Sequence, residues 1–141
     1  MSLLYRKGTI TKAINASFWG ETSDTAMLPR DSSILEHMEE YCADIEQYLH
    51  ATGDSFDAFL SDPMCQHSIA FCILQIGELV SKLSQELRTA TIHDMNWTAI
   101  KGMRNIVVHD YGNVDQEEVW TAATRDVPIP KTFCERLLKQ E

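Results

Sequence analysis

Asp62-Pro63-Met64-Cys65-Gln66-His67-Ser68-Ile69-Ala70-Phe71-Cys72-Ile73-Leu74-Gln75-Ile76-Gly77-Glu78-Leu79-Val80 is the stretch that decides the fold. Asp62 can accept hydrogen bonds from the first free amides of a helix, and Pro63 is preset for the first helical position, so the pair marks a helix start. From there Ile69, Cys72, Ile73, Ile76, Leu79, Val80, Leu83 and Leu87 recur at intervals of three and four. A stripe that broad faces a protein core, and the spacing predicts one long helix. Gly77 interrupts the stripe at a point where a second helix can come close. Glu78 beside it is expected to face water.

Working outward towards the N-terminus, Ser33 and Glu36 are spaced as a capping box, followed by Ile34, Met38, Cys42, Ile45 and Leu49 at helical intervals and by Gly53 as a stop. The other face carries Glu36, Glu39, Glu40, Asp44 and Glu46. Such a run is ordinarily a solvated face, which is the expectation here, with an acidic partner for an arginine as the lesser alternative. Ser55 to Leu60 predicts one helical turn. Residues 1–30 carry Arg6, Lys7 and Lys12 and no acid before Glu21, without a helical period, and are expected to form a loosely ordered extension, with Met27 as an alternative start.

Towards the C-terminus, residues 89–94 read as a loop, and Asn96 can cap a helix over 97–109. Asp115 with Glu118 predicts another helix start, ending near Asp126; Pro128 and Pro130 are expected to break the pattern before a last amphipathic turn or two over 131–139. No alternating strand or internal repeat is present. The expectation is an all-α, antiparallel bundle of four to five helices, with residues 31–141 as the helical domain.

At 141 residues the chain suits one domain. It contains no apolar run of about 18 residues, so no membrane-spanning helix and a cytoplasmic location are expected. Cys42, Cys65, Cys72 and Cys134 form no Cys-x-x-Cys pair, which argues against a zinc knuckle or redox dithiol and for small, reduced, buried side chains. His37, His50, His67 and His93 are expected to fill ordinary polar roles. The net charge of −9 excludes a broadly basic nucleic-acid binder, so any such binding must use a local cationic pocket.

That pocket is sought in Gly102-Met103-Arg104-Asn105-Ile106-Val107-Val108-His109-Asp110-Tyr111-Gly112. A permanent cation, a proton shuttle and a phenol lie within eight residues there. On a regular helix Arg104 and Tyr111 would lie about 20° apart, with His109 about 140° from Arg104. One chain does not converge them. Either the helix end unwinds or a second copy completes the site, and a two-fold homodimer would bring two of each residue into one cleft. Arginine's planar fork suits phosphate, and histidine can take and return a proton, so the two side chains could cleave RNA through its own 2′-OH without metal or cofactor. An arginine and histidine at a helix end can equally satisfy carbonyls, and a tyrosine can simply pack. A non-catalytic helical module binding a nucleotide or a protein is the competing reading. A carboxylate metal enzyme is a third, resting on Glu46 and His50 alone.

Arg104-x4-His109-x-Tyr111 resembles the Arg-x4-His-x-Tyr motif of HEPN-domain proteins, specifically HepT-like toxins of prokaryotic toxin–antitoxin pairs. The flanks match too: residues 73–79 on the long helix, Trp97-x-x-Ile100-x-Gly102-Met103-Arg104-Asn105 before the motif, and Tyr111-Gly112-Asn113-Val114-Asp115 with Val119-Trp120 after it. The resemblance covers about residues 34–138. It implies an all-α homodimer acting as a metal-independent endoribonuclease on tRNA or mRNA. It also implies that Arg104 and His109 are catalytic and that Asn105 supports them. The partner it implies is an MntA-like nucleotidyltransferase antitoxin that transfers AMP to Tyr111.

Overall fold

Asp31, in the first turn of the first helix, and Tyr48, near its end, fix the direction of everything that follows. The computed structural model describes residues 27–108 and 113–140. Helix α1 spans Pro29–Ala51, α2 Phe56–Leu60, and α3 Pro63–Val80. The carboxylate of Asp31 accepts hydrogen bonds from the amide and hydroxyl of Ser84, just beyond α3, at 2.8 and 2.6 Å. At the other end the thiol of Cys65, in the first turn of α3, lies 3.6 Å from the carbonyl of Tyr48. The start of α1 therefore meets the end of α3 and the reverse, so the two run antiparallel.

The remaining elements are α4 at Gln85–Ala90, α5 at Trp97–Gly102, α6 at Asn105–Val108, α7 at Gln116–Thr121, a π-helical turn at Ala122–Asp126, and α8 at Pro128–Leu138. Helix α8 lies along the other flank of α1, and a groove lined by Ile45, Leu49, Val127 and Lys131 runs between them. The core collects the buried side of each helix: Leu35, Met38, Cys42 and Ile45 from α1, Ile69, Ile73 and Ile76 from α3, and Phe133, Cys134 and Leu137 from α8. Phe56 and Phe59 of α2 each meet the ring of Trp120 at 5.4 Å, closing one end. The described residues are helical, with no strand among them, as the sequence leads one to expect. None of their helices is long and apolar enough to cross a membrane.

Four boundaries differ from the sequence reading. Helix α1 begins at Pro29, ahead of the Ser33 and Glu36 box, with no side-chain cap at Leu28. Proline supplies the first-turn geometry, and Asp31 is engaged elsewhere. Met27 and Asp31 are both buried, so the packed part of the chain reaches into the expected extension; residues 1–26 lie outside the described residues.

The stripe expected as one helix to Leu87 is divided after Val80. Ser84, held by Asp31, accepts a hydrogen bond from the amide of Leu87 and so starts α4, which carries Thr89 and Ala90 into helix. Leu83 and Leu87 stay buried across the break.

Asn96 caps α5 as expected, its side chain accepting from the amide of Ala99 at 3.0 Å. The helix does not continue over 97–109: it tightens at Met103 and Arg104. There, amides bond to carbonyls three residues back, Met103 to Ile100 at 3.2 Å and Arg104 to Lys101 at 3.4 Å.

Pro128 begins a helix that the sequence reading starts only at Lys131. Both prolines occupy its first turn, where no amide donor is needed. The ring of Pro128 would collide with the carbonyl of Thr124 in a regular α-ladder. The chain widens instead, the amide of Val127 reaching the carbonyl of Ala122 at 2.8 Å.

Candidate functional site

Arg104 stands on the tight turn between α5 and α6, at the place where that turn crosses α3 over Gly77. A Cβ built on Gly77 would lie 3.0 Å from both the Cβ of Arg104 and the carbonyl oxygen of Lys101. A side chain here would have to push its neighbours back, and the close packing that glycine allows brings the guanidinium to Glu78. Arg104 Nη1 lies 3.5 Å from Glu78 Oε1, with the two side chains 35% and 42% exposed. Glu78 faces water, as expected, and also Arg104, so the arginine's acidic partner comes from α3, while Glu36, Glu40, Asp44 and Glu46 on α1 are exposed as a solvated face should be. The sequence held a signal for this pairing. A glycine in an apolar stripe marks where an incoming backbone touches, and a carboxylate beside it is then placed to meet a cation arriving on that segment.

The pair is weak. A half-exposed ion pair at this separation contributes about 0–1 kcal/mol. The Nε of Arg104 is buried and has no hydrogen-bond partner among the described residues. The arginine thus keeps donor capacity, and a phosphate oxygen can exchange with the Glu78 carboxylate at small cost.

Asn105, the first residue of α6, is exposed one position beyond Arg104. Helix α6 packs against α3 and α7, and Ile106 and Val107 rest on the core while Val108 is exposed. Ile106 and Val107 are therefore what attaches this segment to the core. The structure brings Arg104 to Glu78, with Asn105 exposed at the next position, and His109 and Tyr111 lie outside the described residues.

The cysteines take no part in such chemistry. Burial pushes the thiols of Cys42 and Cys72 up to about 12, and that of Cys134 well above its ordinary range. A thiol held protonated at neutral pH is a poor nucleophile. All four cysteines are free and buried, as expected. His50, named with Glu46 in the metal reading, has its Nδ1 3.0 Å from Asp54 on the exposed end of α1. His37 likewise meets Glu40 at 3.4 Å.

Comparison with known proteins bears on the same region. A family model described as "Ribonuclease HepT-like" matches residues 38–137, close to the stretch over which the resemblance runs. The chain is 27% identical over 107 residues to "Putative RNase TTE0752" of Caldanaerobacter subterraneus subsp. tengcongensis, covering 76% of this chain and 93% of that one. It is 27% identical over 107 residues to "Putative RNase MJ1216" of Methanocaldococcus jannaschii, covering 76% and 86%. It is 26% identical over 106 residues to "Probable ribonuclease HepT" of Thermococcus cleftensis, covering 74% and 93%. No solved structure is a significant match. With most of its length under the family model, and with the motif arginine built into the junction of three helices, the chain belongs to the HepT-like ribonuclease family.

Proposed function

We propose that this endoribonuclease cleaves RNA without a metal, with Arg104 holding the scissile phosphate and His109 moving the proton. The helical domain, residues 31–141, is the catalytic unit in this reading. The ribose 2′-OH gives its proton to His109 as its oxygen attacks phosphorus. The bond from phosphorus to the 5′-oxygen then breaks, and that oxygen receives a proton from a histidine. The products are a 2′,3′-cyclic phosphate and a free 5′-OH. Arg104 stabilises the charge that develops on the phosphoryl oxygens, and Asn105 supports it with a neutral donor. The carrying observation is the packing of Arg104's stem against Gly77, which fixes the cation while leaving its head half exposed.

A homodimer fits this reading. Met64 and Phe71, 79% and 54% exposed, lie seven residues apart on α3, and Glu78 follows after seven more. That apolar strip leads along one face to the pair of Glu78 and Arg104, so a second copy seated on it would bring two such sites together. Tyr111 is the acceptor of AMP from an MntA-like nucleotidyltransferase antitoxin, and the added anion competes with RNA for the cation. The substrate is tRNA or mRNA, the chain is the toxin of the pair, and it acts in the cytoplasm.

The test is cleavage of an oligoribonucleotide by purified protein in the presence of a chelator, with analysis of the product ends. Wild type should yield cyclic-phosphate ends, and Arg104→Ala and His109→Ala should lose most activity. Cleavage of a fully 2′-deoxy substrate, or undiminished cleavage by His109→Ala, would sink the mechanism.

A further inference from the structure

An open concavity of about 640 Å3 lies between α4 and the start of α5, away from the turn that carries Arg104. Arg88 and Thr89 line it from α4, Asn96 and Thr98 from the beginning of α5, and Ile92 and Trp97 supply apolar wall. None of its lining residues is acidic. In a chain with 21 acids against 12 bases, a concavity with a cation and no carboxylate is a local reversal of sign.

Arg88 is also unbalanced. Its Nε is buried without a hydrogen-bond partner, and it forms no ion pair among the described residues. As a lining residue with no carboxylate opposite it, Arg88 leaves its charge for a bound oxygen anion to balance. The neighbouring groups are suited to share that anion. The carbonyl oxygen of the Asn96 side chain is occupied by the amide of Ala99, which leaves its NH2 as a donor, and Thr89 and Thr98 add hydroxyls. The wall is rigid, because the indole of Trp97 donates to Thr91 Oγ1 at 2.9 Å and is fixed by it. Ile92, 61% exposed, offers apolar surface to a ribose or base.

One cation with neutral donors matches a singly charged phosphodiester better than a triphosphate, and an open trough suits a strand that continues at both ends better than a free nucleotide. Trp97 opens the helix whose far end leads to Arg104, seven residues on, which is roughly 10 Å of helical path. A path of that length is within the span of a short single strand. We infer that the Arg88 concavity is a second phosphate-binding point for single-stranded RNA, gripping the substrate some nucleotides away from the bond that is cut. This rests on the ribonuclease reading of Arg104 and explains how an acidic chain holds RNA at all.

Binding of a labelled single-stranded oligoribonucleotide to the full chain, followed by anisotropy in the His109→Ala background over a range of salt, tests the inference. Arg88→Ala should weaken binding about ten-fold for all sequences alike and reduce the slope of log affinity against log salt by about 0.7. Arg88→Lys should restore the slope and only part of the affinity. Lys139→Ala, which removes an exposed charge on the last turn, should match the parent in both. Should Arg88→Ala melt early, Arg88→Gln, which keeps part of the apolar stem and removes the charge, carries the same comparison. Unchanged affinity and slope in the Arg88 variants, with a wild type that cleaves RNA, overturns this inference alone. A wild type that neither binds nor cleaves RNA overturns the reading of Arg104 with it. Displacement of the oligonucleotide by AMP at an affinity that depends on Arg88 would reassign the concavity to a free nucleotide and overturn the proposal as stated.

Discussion

Gly77 and Arg104 are packed so closely that the smallest side chain at the first position would meet the stem of the second at 3.0 Å. The carbonyl of Lys101 stands equally near, and backbone cannot swing aside as a side-chain tip can. Gly77→Ala gains about 1 kcal/mol of helix propensity and incurs about 1–3 kcal/mol of overpacking. The expected net result is a lower melting temperature together with weaker RNA cleavage, since the turn bearing the cation must move. A variant that melts higher and cleaves normally would show that the approach is not constrained.

Glu78→Gln keeps an oxygen for the guanidinium and removes the charge. Both partners are more than a third exposed, so stability should change by less than about 1 kcal/mol in a chemical melt. RNA affinity should rise, because the phosphate no longer competes with a carboxylate. Weaker RNA binding in this variant would mean that Glu78 orients Arg104 more than it opposes the substrate.

Asp31→Ala leaves the amide and hydroxyl of Ser84 without their acceptor and opens space at a buried position. A loss of about 2–3 kcal/mol is expected, read from the denaturation midpoint. Asp31→Asn, which still offers one carbonyl oxygen, should lose less. Equal stability of all three proteins would remove the clasp from the account of the fold.

The buried thiols give a pH dependence at the alkaline end. Folding holds Cys42 and Cys72 protonated up to about 12, above the ordinary value of 9.0. A raised folded value contributes stability that is fully present below about 9 and is lost as pH climbs towards 12, because the unfolded chain can release those protons and the folded chain cannot. Denaturation midpoints should therefore fall over that window, and less steeply in a Cys42→Ala, Cys72→Ala protein referenced to its own neutral value. Alkylation of the native protein at neutral pH should be slow at both positions.

Where the sequence was legible, the information was local. Ser55, Asp62, Asn96 and Asp115 each accept from an amide two or three residues ahead, and each starts the helix that its spacing predicts. The apolar stripe from Ile69 to Val80 is buried as its period requires. What could not be read was set by contacts distant in the chain. Ser33 looks like a cap, yet the helix begins at Pro29, and Asp31 answers to Ser84. The break before Arg104 follows from the crossing over Gly77. The pairing of Arg104 with Glu78 joins distant helices, and its one trace in the sequence is Gly77 beside Glu78 in the α3 stripe. For the candidate site this means that its residue types were legible in the motif, while the segment that meets Gly77 was not.

The bond from Asp31 to Ser84 spans 53 positions, and that span has a bearing on the order of events as the chain is made. Closing a long loop costs entropy that grows only slowly with its length, so the clasp can form as soon as α1 and α3 have zipped together from their short connection. By then Arg104 has yet to emerge in a protein synthesised from its N-terminus. Glu78 and the bare backbone of Gly77 are thus already in position when the arginine arrives. The late segment docks onto a finished surface, and Arg104 is among the last parts to acquire its place.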